Sequence, residues 1–127
     1  MQKKTLVPLL CAAFAGLADA AVVTKTIPYE IDGEAFEGVL VYDDSVTTPR
    51  PGLLAVPSWM GVNEDTVAKA ARAAGDKYVV FVADMYGKAI RPSNAEEAGA
   101  AAGKVRADRP LMRKRAQAAV DVLKAQS

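Results

Sequence analysis

The sequence predicts an α/β fold made of an amino-terminal β-hairpin, one βαβ unit and two further helices. Three observations carry that reading. Residues 23–31 alternate with period two, and Asp32-Gly33 turns the chain into a returning strand at 35–42, as a β-hairpin does. Two short runs, 52–56 and 78–83, are apolar at every position after the first, which suits parallel strands in a sheet covered on both faces. From residue 93 onward the chain reads as helical, with start signals and apolar spacing of helical period.

Residues 1–20 have the three parts of an export signal. Lys3 and Lys4 make a positive start, Leu6 to Leu17 an apolar stretch, and Ala18-Asp19-Ala20 an A-x-A cleavage site. Two readings compete. A transmembrane helix needs about 20 apolar residues, and this stretch is shorter and contains Pro8. A lipoprotein signal around Cys11 wants a small residue where Leu10 stands. Cleavage after Ala20 is the expectation. It leaves residues 21–127 as one small domain, periplasmic or secreted, with no stable membrane anchor. Cys11 is the sole cysteine, so the mature chain depends on its hydrophobic core and on no disulfide.

In the first hairpin, residues 23–31 form one strand and 35–42 the other. Asp32-Gly33 between them suits a type I′ turn, where both residues take positive φ. Lys25 is the one exception to the apolar alternation. Pro28 has no N–H for a ladder, which places the first strand at a sheet edge. A polar segment, 43–51, leads to the strand at 52–56. Asn63 is placed to cap a helix over about 64–74 and Gly75 to end it. The strand at 78–83 completes a βαβ unit. Ser93-Asn94-Ala95-Glu96 has capping-box spacing after Pro92, and Asp108-Arg109-Pro110 opens the last helix. There Met112, Ala116, Ala119, Val120 and Leu123 share one apolar face, read as a core face. Arg113-Lys114-Arg115 reads as a solvated face.

Charge and residue counts exclude several functions. The whole chain has 16 Lys+Arg and 15 Asp+Glu, and without residues 1–20 the two balance at 14 each. Nucleic-acid binding by counterion release needs a basic excess, so nucleic acid is not an expected partner. Hydrophobic residues at 51% and charged ones at 24% exclude a disordered or collagen-like chain. The chain contains no histidine, which rules out a triad with a His base within these residues. With no mature cysteine and scattered carboxylates there is no metal-ligand cluster, and no cofactor or metal is expected.

Chemistry in a parallel sheet lies beyond the carboxyl ends of its strands. That directs attention to the loops 57–63 and 84–88. The first contains Ser58, Trp59, Met60 and Gly61 and runs into a helix start, so its N–H groups can face an anion or a developing oxyanion. The plainer alternative makes Trp59 and Met60 core side chains in a tight connection. Ser58 as a nucleophile would need Lys88 or Lys77 as its base, a pairing with no support from spacing. Asp84 reads chiefly as a turn or capping residue, with contact to substrate as the alternative. Arg91, Arg106 and Arg109 read either as contacts for a carboxylate-bearing substrate or as solvated charge.

The segments Arg50-Pro51-Gly52-Leu53-Leu54, Pro57-Ser58-Trp59-Met60-Gly61-Val62-Asn63-Glu64 and Val82-Ala83-Asp84-Met85-Tyr86-Gly87-Lys88 resemble the amino-terminal half of the dienelactone hydrolase family of α/β-hydrolases. The resemblance extends over nearly all of residues 21–127. It implies a partial α/β-hydrolase-like sheet, its three-layer αβα architecture incomplete at the carboxyl end. It also implies hydrolysis of a small-molecule ester or lactone by a nucleophile, usually Cys, with an Asp and a His. All three lie in the family's carboxyl-terminal half. This sequence ends where the family pattern goes on to the G-x-C-x-G nucleophile elbow, so the expectation is a truncated chain that is inactive alone. By the resemblance, the Trp59 N–H is one oxyanion-hole donor, and Ser58, Met60 and Gly61 belong to the active-site loop. Ser58 stands where many members have a Glu. The alternative function is a non-catalytic ligand-binding or interaction module on the same fold. In either case the strand at 52–56 is expected at a sheet edge, open to self-association.

Overall fold

The computed structural model describes residues 22–126, and the export signal predicted for 1–20 lies outside the described residues. Strands β1 (Val22–Ile31) and β2 (Glu34–Asp43) pair antiparallel along their whole length. Asp32 and Gly33 between them have φ of 53° and 80°, the left-handed pair that a I′ turn requires. Strand β3 (Gly52–Ala55), helix α1 (Glu64–Ala74) and strand β4 (Val79–Val82) make the βαβ unit. β3 pairs parallel with β4, β4 pairs antiparallel with β2, and the sheet order is β1-β2-β4-β3. Pro28 accordingly lies on one edge strand and β3 forms the other.

Each face of the sheet has its own core. Val41, Val80 and Val82 meet Ala70 and Ala74 of α1 on one side. Leu40, Phe81 and Ala83 meet Ala119 of helix α3 (Arg109–Lys124) on the other, joined by Ile27, Tyr29, Leu54 and Leu123. Period-two alternation along β2 and β4 therefore feeds both layers, as expected of strands apolar on both faces. Helix α2 (Ala95–Ala107) buries Ala98, Ala101, Ala102 and Val105 and closes over Tyr86.

Three local expectations are corrected. The capping box of α2 is shifted by one residue: Asn94 is the N-cap and accepts from the Glu97 N–H at 3.0 Å, while the Glu97 carboxylate accepts from the Ser93 N–H at 2.8 Å. Asn94 keeps an extended backbone, with φ −148° and ψ 172°, so it stands at the N-cap and the helix begins at Ala95. On α3 the expected face is covered only in part. Ala119 is buried, but Met112 stays 36% exposed, because it borders the loop region beyond the sheet. Arg115 is not solvated. Its guanidinium lies 5.1 Å from the Phe36 ring centroid and donates to the Met85 carbonyl at 2.8 Å, with the Glu34 carboxylate at 3.5 Å. A planar, weakly hydrated cation with a long apolar stem suits a place over an aromatic face.

Candidate functional site

Because β3 and β4 are parallel, the loops that follow them leave the sheet at the same end. The loop after β4 is organised by Asp84, whose side chain is almost fully buried. One carboxylate oxygen accepts from the Tyr86 and Gly87 N–H groups, each at 3.0 Å. The other accepts from the Glu37 N–H at 3.0 Å and from the Arg91 guanidinium at 3.2 and 3.3 Å. Arg91 also donates to the Gly87, Ile90 and Glu37 carbonyls. Asp84 is thus the turn residue expected, and the carboxylate that Arg91 faces is this one. The Tyr29 hydroxyl, donating to the Asp84 carbonyl and accepting from its N–H at 3.2 Å, ties the turn to β1. Burial pushes the Tyr29 phenol up to about 12.

The loop after β3 turns tightly. The Gly61 N–H donates to the Ser58 carbonyl at 2.9 Å, and Gly61 has φ +72°. Its far end is fixed by Thr66, whose hydroxyl donates to the Gly61 carbonyl at 3.1 Å. The Asn63 side chain caps α1 by accepting from the Thr66 N–H at 2.9 Å. Glu64 and Asp65 occupy the first turn of α1 and satisfy the positive end of its dipole. The helix start is therefore a poor site for a further anion, and donor capacity lies earlier, in the 58–61 turn.

The two loops meet through Tyr86. Its hydroxyl donates to the Trp59 carbonyl at 2.7 Å. Burial raises the Tyr86 phenol and the Arg106 charge opposes the rise, so the group stays a neutral donor at physiological pH. A cavity of about 200 Å³ lies here, walled by Trp59, Met85, Tyr86, Val105 and Met112, with Ser58 and Arg106 among its polar lining. Trp59 is 46% exposed, so it is no core side chain. Met60 is half-buried and Gly61 buried within the turn. Ser58 is exposed and also borders a second cleft, of about 390 Å³, between β3 and α1.

Neither lysine considered as a base for Ser58 borders these two cavities. Lys88 pairs with Glu37 at 3.2 Å, and Lys77 lies in the turn before β4, at the opposite end of the sheet. Arg106 reaches the cavity, whereas Arg91 is committed to Asp84. Tyr86 is the site residue that reading the sequence missed. Its signal was there: a tyrosine two residues after the aspartate of a strand-end loop, in a turn closed by Gly87. No group of three or more His, Cys, Asp or Glu among the described residues is placed to hold a metal ion, and none of the described helices is long and apolar enough to cross a membrane.

Residues 36–127 match the sequence model of the family described as Dienelactone hydrolase family. No protein among the curated sequences matches the chain. Several solved structures are similar, two of them as follows. A dienelactone hydrolase-like promiscuous phosphotriesterase from metagenomic libraries has a TM-score of 0.76 and 30% identity, and a protein designated m3DLH has a TM-score of 0.76 and 29% identity. In both cases the match covers 84% of this chain and 44% of the other. The chain thus spans less than half the length of the solved structures it matches.

Proposed function

Since the chain belongs to the dienelactone hydrolase family, we propose that it is the amino-terminal portion of an exported hydrolase of small-molecule esters or lactones, and that it contributes the oxyanion loop. In this reading the Trp59 N–H is one donor to the developing oxyanion. Ser58, Met60 and Gly61 shape the loop around it, and the cavity beside Trp59 and Tyr86 receives part of the substrate. The second donor, the nucleophile, its Asp and its His come from the carboxyl-terminal half of the fold. The observation that carries the reading is the Ser58–Gly61 turn at the carboxyl end of a parallel strand, closed at 2.9 Å and tied to the neighbouring loop at 2.7 Å. Oxyanion donors work by being rigid before charge develops.

Complementation tests this. Residues 21–127 are co-expressed with the carboxyl-terminal half of a family member, and hydrolysis of an activated aryl ester is followed. The pair is expected to turn over and the chain alone to show no rate above a blank. Trp59→Pro, which deletes the N–H, is expected to lower kcat of the pair by about 10²–10³. Turnover by the chain alone that disappears in Ser58→Ala overturns the reading, as does a folded Trp59→Pro pair with unchanged kcat. For export, the mass of the periplasmic product is expected to begin at Ala21, and recovery of only the uncleaved form in the membrane overturns that part.

A further inference from the structure

The donor assigned to Trp59 is a backbone group, so its direction depends on what holds the two peptide units around that residue. The first unit contains the Ser58 carbonyl and the Trp59 N–H in one plane, pointing in opposite directions. The bond from the Gly61 N–H to the Ser58 carbonyl turns that carbonyl into the turn and so turns the Trp59 N–H out of it. The second unit contains the Trp59 carbonyl, which receives the Tyr86 hydroxyl at 2.7 Å. With both planes held, little freedom remains about the Trp59 α-carbon.

Tyr86 is itself firmly placed. It is 7% exposed, packed by Ala101, Ala102 and Val105, and its N–H is held by Asp84 at 3.0 Å. Its ring also lies against Gly61, where an added Cβ would come within 3.1 Å of a ring carbon. The ring therefore backs the same turn whose carbonyl the hydroxyl binds. Packing alone would need only the ring, and a phenylalanine would supply it. A part-buried hydroxyl spent on one carbonyl of a partly exposed loop points to control of that loop's geometry.

We propose that Tyr86 is a positioning residue whose hydroxyl, through the Trp59 carbonyl, sets the direction of the Trp59 N–H. The proposal rests on the oxyanion reading of Trp59 and names what enforces it. Charge and hydrogen bonding run in a line from Arg91 through Asp84 to Tyr86 and Trp59, so the loop after β4 dictates the shape of the loop after β3.

The test compares the chain with its Tyr86→Phe variant by amide hydrogen exchange. The Gly61 N–H reports the turn directly. Exchange at Gly61 is expected to accelerate by about tenfold, the effect of one lost hydrogen bond, while amides of α1 and β4 keep their rates. A general loosening would accelerate those as well, and uniform acceleration or no change at Gly61 overturns the proposal. A fluorinated tyrosine at position 86 keeps the ring and ionises at lower pH. Gly61 exchange is then expected to rise beyond ordinary base catalysis once the hydroxyl has lost its proton, and a rise no greater than that of other turn amides overturns the proposal. In the complemented pair, Tyr86→Phe is expected to lower kcat and leave KM unchanged, and an unchanged kcat overturns the positioning role. The two readings fail separately: Trp59→Pro judges the donor, and Gly61 exchange in Tyr86→Phe judges what holds it.

Discussion

At the scale of single residues, the largest local commitment is Asp84. Its carboxylate is almost fully buried and takes three backbone N–H groups and the Arg91 guanidinium. Asp84→Ala leaves those donors and a partly buried cation without a partner, and is expected to cost about 3–5 kcal/mol, read as a lower urea midpoint. Asp84→Asn keeps one acceptor oxygen and should cost less. Equal losses in the two variants would show that charge contributes nothing there. Tyr29 makes a second expectation, this one in pH. Its folded pKa of about 12, raised first by burial, lies above the unfolded value near 10. The folded state therefore holds the proton more tightly. Tyr29 contributes its full stability below about pH 10, and that contribution is lost as pH rises through 12. Urea midpoints of wild type and Tyr29→Phe should converge over that window, and a constant gap would contradict it. Of these residues only Asp84 was legible in the sequence, as a turn former. The Arg91 partner was not, because a contact within one irregular loop has no period to reveal it. Arg115 misled because a run of three basic residues looks solvated until one of them meets an aromatic face.

At the scale of elements, legibility followed conformational constraint. The hairpin was readable because Asp32-Gly33 meets a demand for positive φ that few residue pairs satisfy. Asn63 and Gly75 marked α1 at both ends, since a side-chain acceptor and a residue free of Cβ are what helix ends require. The start of α2 slipped by one residue because Ser93 and Asn94 both suit a cap and Glu96 and Glu97 both suit its partner, so the local pattern fits two starts equally. Glycines show the same division between local and long-range causes. A Cβ on Gly38 would stand 2.3 Å from the Phe81 ring and 2.6 Å from the Val82 carbonyl of the neighbouring strand, whereas Gly99, in α2, has nothing within 4 Å. Gly38→Ala is expected to destabilise by about 1–3 kcal/mol or more through overpacking. Gly99→Ala should instead stabilise by about 0.5–1 kcal/mol, the helical preference for alanine. Thermal unfolding of the two variants checks the opposite signs, and a shift of the same sign in both would refute the assignment.

At the scale of the whole molecule, the sheet is well covered at its centre and open along β3. The Val79 and Ala83 N–H groups donate to the Pro51 and Ala55 carbonyls at 3.1 and 2.9 Å. By strand alternation the N–H and C=O groups of Gly52, Leu54 and Val56 then point away from β4. Val56 is 57% and Leu53 38% exposed. Clefts of about 440 and 390 Å³ flank the strand, one toward Leu123 of α3 and the other toward Ala70 of α1. An edge with free backbone pairs, apolar side chains and no inward charge is a template for another strand. The sequence places this strand by its apolar run, and its position at the edge was expected from the family's strand order. The area left open on either side was not readable, since it depends on how far α1 and α3 reach. In the isolated chain of residues 21–127 this edge is expected to pair with a second copy. Burial of apolar area and pairing of free N–H and C=O groups both favour that association, which is expected at micromolar concentration. Sedimentation should show mass rising with concentration in that range. Val56→Lys, which puts charge on the edge at a largely exposed position, should return the chain to monomer, and so should the complementing half by occupying the same strand position. A wild-type chain that stays monomeric throughout, with a sharp and reversible unfolding transition, would show that β3 is protected by something other than a paired strand.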